Sequence, residues 1–146
     1  ISPGPTVLPS NFYVLPLAQW KHHECAHDSH NKSVGFWLMP DENIDKTAHI
    51  DRAKIIAVYF PSLTDGRGFS MGRLLRERYG FSRELRAFGA IMRDQLHPLQ
   101  RCGFNAFSFQ NPSNLDEATE SLHGFAVSYQ AAVIPSTPLF RRRRQP

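Results

Sequence analysis

The chain has 146 residues, 41% hydrophobic and 21% charged, a composition that fits one globular domain and excludes a disordered or collagen-like chain. It is long enough to bury roughly two thirds of the surface its unfolded form exposes, and no stretch approaches the run of about 18 apolar residues that a membrane helix needs. Net charge is 17 − 13 = +4; Arg141 to Arg144 alone carry four positive charges, so the rest is formally neutral, and a terminal Arg run is weak evidence of the basic folded face that nucleic-acid binding requires.

Residues 1–11 contain Pro3, Pro5 and Pro9 and read as an irregular lead-in. No basic segment followed by an apolar core appears in residues 1–20, so no secretory signal is read. With Cys25 and Cys102 far apart and without metal or disulfide spacing, reduced thiols in a cytoplasm are expected. Phe12-Tyr13-Val14-Leu15 is a short strand closed by Pro16, and Leu17 to Trp20 begin a helix. The chain then turns polar over 21–32. A second strand covers 34–39, and 41–52 read as loop with a helical turn.

Ile55 to Phe60 is a continuous apolar run, which suits a strand buried on both faces of a parallel sheet. It leads into Thr64-Asp65-Gly66-Arg67-Gly68-Phe69-Ser70. Met71, Leu74, Leu75 and Tyr79 then recur at helical spacing, with Ser70 as the expected N-cap and Gly80 as the stop. Arg73, Arg76, Glu77 and Arg78 read as a solvated face of this helix. A fourth strand at 85–88 precedes a second helix over 90–102. There Pro98 must kink or shorten the helix, because an interior proline costs about 3 kcal/mol. Ala106 to Phe109 make a fifth strand, and Asn114 with Glu117 forms a capping box for a third helix over 114–129.

This alternation predicts a single α/β domain of about five mostly parallel strands, either an open three-layer sheet or a partial barrel-like array. The domain is expected over 1–134, with its core in 54–130 and a loose basic tail at 135–146. The loop after the third strand leaves the carboxyl end of a buried strand and enters a helix, the junction at which open α/β sheets hold ligands.

Gly66-x-Gly68-x-x-x-Gly72 echoes a dinucleotide fingerprint, but Pro61 to Asp65 intervene and Asp65 would repel a pyrophosphate. No cofactor is therefore expected. The loop reads better as an oxyanion site. Gly66, Gly68 and Ser70 offer backbone approach at a helix start, Arg67 supplies a fork of donors, and Asp65 orients Arg67 or acts on a proton. On this reading Asp65 and Arg67 would carry any catalysis. Arg93, at the start of the next helix, is a candidate second anion contact, while the bland alternative is a tight turn and a surface charge. His22 to His30 contain zinc-type ligands, yet no distant cluster completes them, and no metal is assigned. Cys102 reads as a packing residue.

Several segments resemble one bacterial family, known as domain of unknown function nine-three-four. They are Phe60-Pro61, 64–70, Leu74 to Arg78, Glu84 to Ala87, Arg93 to Leu96, Arg101 to Phe104, Ala106-Phe107 and Tyr129-Gln130. The resemblance covers 54–130 and extends to Val14 to Trp20 and 34–40. Pro98, the His-rich segment and the Arg tail have no counterpart in the family pattern. Members tend to be encoded beside assimilatory sulfite reductase and carry the label of probable oxidoreductase, on neighbourhood more than chemistry. The resemblance thus implies a cytoplasmic accessory protein of sulfite reduction with sulfite reductase and a small oxyanion as partners. The alternatives are a non-catalytic module docking on the reductase, or a metal or nucleic-acid binder. Whether the protein is an enzyme is left open by its residues.

Overall fold

The computed structural model describes residues 13–23, 33–44, 49–109 and 133. The helix expected at 114–129, most of the polar segment 22–32 and the tail at 135–146 lie outside them. Five strands form one sheet: β1 (Tyr13–Pro16), β2 (Ser33–Leu38), β3 (Ile55–Phe60), β4 (Glu84–Gly89) and β5 (Ala106–Phe109). Their order in the sheet is their order in the chain, and every neighbouring pair is parallel. The protein is therefore a single-domain α/β fold in which each crossover steps one strand along.

Three described helices lie in three of the four crossovers, after β1, β3 and β4: α1 (Leu17–His23), α2 (Arg67–Glu77) and α3 (Leu96–Arg101). All three pack on the same face of the sheet. Leu17, Met71, Leu75 and Leu99 join one cluster with Phe36, Leu38, Ile56, Val58, Phe60, Leu85 and Ala87. The period of two along β2, β3 and β4 puts these strand residues on the helix side. A second cluster, Val14, Trp37, Ala57 and Phe88, lies on the opposite face. This one-sided winding is that of a barrel-like array, not of a sheet with described helices on both faces.

Two expected boundaries are corrected. Ser70 is not an N-cap. Helix α2 begins three residues earlier, because the Asp65 carboxylate already accepts the Arg67 backbone N–H at 3.1 Å and so satisfies the first exposed donor. Gly80 does mark the stop, with φ of 65°. The helix expected over 90–102 shortens to a 3-10 turn at Arg93–Gln95 followed by α3. Pro98 then falls in the first turn of α3, where a missing N–H removes no helical hydrogen bond.

Two glycines of α2 are packing residues. Gly68 and Gly72 share a helix face at i, i+4, and a Cβ on Gly68 would overlap the Phe60 ring, on Gly72 the Phe104 ring. The two rings lie 6.0 Å apart and support each other edge to face. Bare backbone lets α2 settle directly on the end of β3, and that contact sets the direction in which the Asp65–Arg67 loop leaves the sheet.

The solvated face expected for α2 needs one correction. Arg73 and Glu77 are indeed exposed and pair at 2.9 Å, but Arg76 is half-buried. Its guanidinium donates to the carbonyls of Gly103 (2.8 Å), Phe81 and Arg83 (2.9 Å) and lies over the Phe81 ring. Burial pushes its pKa down, since desolvation disfavours the charged form. Arg83 in turn donates to the carbonyls of Asp51 and Ala53 at 3.0 and 2.9 Å. These two arginines stitch together the loops at the amino edge of the sheet.

Candidate functional site

At the carboxyl edge the loops after β3 and β4 are joined by their own backbone and by one side chain. The Ala90 N–H donates to the Phe60 carbonyl at 2.8 Å, tying the last residue of β3 to the turn after β4. Gly89 takes φ of 105° there, and a Cβ would collide with the Phe60 carbonyl and the Tyr59 ring. The Gln95 side chain completes the junction. Its Oε1 accepts the Met92 N–H at 3.1 Å, and its Nε2 donates to the Leu63 carbonyl at 2.8 Å.

The β3–α2 loop closes on itself. The Asp65 N–H donates to the Ser62 carbonyl at 3.1 Å, and the Ser62 and Thr64 hydroxyls share a hydrogen bond at 2.9 Å. Asp65 and Arg67 form a two-pronged pair, with Nε on Oδ1 at 2.9 Å and Nη2 on Oδ2 at 2.6 Å. The Arg67 side chain is 59% exposed while that of Asp65 is 12% exposed. The hydrogen bonds from Arg67 pull the Asp65 carboxyl below its usual range, and the same bonds raise the Arg67 pKa. Asp41, in the turn directly after β2, adds a more distant negative field at Arg67.

The residues of the expected oxyanion site each have a place in this geometry. Asp65 and Arg67 face each other. Gly66 is exposed with open space around it, and Ser70 is exposed in the first turns of α2. Gly68 is buried under Phe60. Arg93 is exposed on the adjacent loop, so both loops meet at one edge of the sheet. Cys102 is half-buried, and burial pushes its thiol pKa up, away from nucleophile chemistry.

Sequence reasoning missed three features. Leu63 and Met92, 45% and 46% exposed, are the exposed large hydrophobic residues among those described, and both lie on these joined loops. Gln95 gave no signal beyond its polar type. On the face opposite the described helices, Arg86 pairs with Glu84 at 2.7 Å and donates to the Ser108 hydroxyl at 3.0 Å. Their spacing of two in a strand could have placed Glu84 and Arg86 together. Beside them Trp37, only 7% exposed, packs edge to face on Phe88, and its indole N–H has no hydrogen-bond partner among the described residues.

A family model described as a bacterial protein of unknown function (DUF934) matches residues 35–140. No curated protein and no solved structure matches the chain. Among the described residues no helix is long and apolar enough to cross a membrane.

Proposed function

This chain belongs to the DUF934 family of bacterial proteins of unknown function, and we propose that it is a cytoplasmic accessory protein of assimilatory sulfite reduction that binds a sulfur oxyanion at the Asp65–Ser70 loop. The pathway and the partner, sulfite reductase, come from the family resemblance described above. One observation supports the anion: an exposed guanidinium is held in place by a carboxylate at the start of a helix, on the carboxyl edge of a parallel sheet.

The Asp65 pair occupies the Nε–Nη2 edge of Arg67 and leaves Nη1 without a hydrogen bond among the described residues. Asp65 thus acts as a positioning group. It removes the rotamer freedom of the long side chain before any ligand arrives, while the outer donors stay available to an oxygen. The same carboxylate offsets the Arg67 charge and so weakens the electrostatic attraction of the site, which suits capture and release better than tight storage. Arg93 supplies a second positive charge at the same edge. The reading is one of binding and handing over, with no redox step assigned to this chain's own residues.

Calorimetric titration with sulfite, sulfate and phosphate tests the reading. The wild-type protein takes up sulfite, and Arg67→Ala weakens that uptake by about tenfold or more with the fold unchanged. Arg67→Lys rescues poorly, because an ammonium cannot hold the Asp65 fork and a ligand together. Equal heats for wild type and Arg67→Ala would reduce the loop to a turn.

A further inference from the structure

We propose that the Arg67 site selects singly charged oxyanions over doubly charged ones, so that hydrogen sulfite rather than the sulfite dianion is the form it takes. The inference rests on the reading of this loop as an oxyanion site and adds which charge state fits there. Asp65 and Arg67 are one neutral unit, because the carboxylate is bonded to Nε and Nη2 and is only 12% exposed. An incoming anion therefore meets the outer guanidinium donors without a net charge behind them. A second negative charge on the ligand costs more to desolvate, and the loop over 61–67 holds no further cation to meet it.

The neighbouring loops tip the balance further. Strands β2, β3 and β4 are adjacent and parallel, so the chain leaves all three at the same edge. The turn after β2 brings exposed Asp41 and half-buried Glu42, whose Oε2 accepts the Met39 N–H at 2.6 Å. The loop after β4 brings exposed Arg93 and Asp94. Beyond the neutral pair, Asp41, Glu42 and Asp94 thus stand against the single base Arg93. The Asp41 charge reaches Arg67 itself, where it is one of the causes that raise the guanidinium pKa. Coulomb repulsion scales with ligand charge, so the same acids repel a dianion about twice as strongly as a monoanion. Arg67 supplies the bonds, and Asp65 and Asp41 set the charge that is accepted.

Calorimetry with methanesulfonate, a permanent monoanion, and sulfate, a dianion, tests this at fixed pH and ionic strength. Methanesulfonate should bind about three- to tenfold more tightly than sulfate. Asp41→Asn should raise sulfate affinity more than methanesulfonate affinity and so narrow the gap. Glu77→Gln, at the far end of α2, should leave the gap as it was. With sulfite, the affinity divided by that of methanesulfonate should fall as pH rises through the second ionisation of sulfite. The division removes any titration of the protein itself. Sulfate binding as tight as methanesulfonate binding, or a ratio constant with pH, overturns the selectivity and leaves the oxyanion reading standing. Absence of heat with all three anions overturns that reading and the selectivity together.

Discussion

The side-chain amide of Gln95 donates to the carbonyl of Leu63 at 2.8 Å, across 32 positions of chain. Its oxygen simultaneously accepts the N–H of Met92 three residues upstream. A primary amide donates and accepts in a single plane, which neither a carboxylate nor an ammonium can do. Gln95→Glu keeps the acceptor for Met92 but sets a carboxylate against the Leu63 carbonyl. The expected outcome is faster hydrogen exchange at the Met92 amide in Gln95→Ala, and a stability loss of about 1 kcal/mol in either variant. Exchange measured by NMR or mass spectrometry, with denaturant unfolding, checks both.

The glycine pair of α2 is a packing requirement. Gly68→Ala and Gly72→Ala each push a methyl group into a fully buried ring, Phe60 or Phe104. Each should cost about 1–3 kcal/mol, the range for overpacking a well-filled core. Gly66→Ala meets open space and should be nearly neutral. Urea unfolding of the three variants distinguishes the packing glycines from the exposed one.

The Asp65–Arg67 pair should give way only at low pH. The carboxyl of Asp65 titrates below its ordinary value because Arg67 donates to the charged form. A group depressed in the folded state contributes stability above its unfolded pKa, near 3.9, and that contribution disappears as pH falls through the lower folded value. Asp65→Asn should therefore flatten the acid limb of the stability–pH curve and leave the curve above pH ~5 unchanged in shape. An acid limb that is identical in wild type and Asp65→Asn would show that the pair contributes nothing to folding.

Arg76 is the structural arginine of this fold. Three carbonyls and the face of Phe81 receive it at the amino edge. Arg76→Lys cannot reach all of them from a single ammonium and should cost about 2 kcal/mol, while the Arg73→Lys change on the solvated face should cost almost nothing. Thermal unfolding of the pair of variants is the comparison that decides. Anion binding at the carboxyl edge should not change in either.

Periodicity made most of the framework legible. The continuous run Ile55 to Phe60 and the helical spacing of Met71 and Leu75 report burial, which repeats with the period of a strand or helix, while the short run Ala106 to Phe109 marks a strand that is only half-buried. Strand alternating with helix then implies parallel pairing, and the sheet has it. The charge pattern of Asp65-Gly66-Arg67 was equally local, because two residues two apart at a helix start are already close enough to bond.

Tertiary structure decided what depends on partners far away in the chain. The glycines of α2 look alike in sequence, but only the positions of Phe60 and Phe104 make Gly68 and Gly72 packing sites and leave Gly66 open. Arg76 and Arg73 are interchangeable on a helical wheel, and only the loops at Phe81 and Gly103 separate them. The sheet order and the side on which α1, α2 and α3 lie are global outcomes, since each helix must cover the apolar face left by its neighbours. The Gln95 bridge between Leu63 and Met92 exists only because β3 and β4 are adjacent and parallel, which brings two loops to one edge. Local spacing encodes which residues are buried; contacts between distant segments decide what each buried or exposed residue meets.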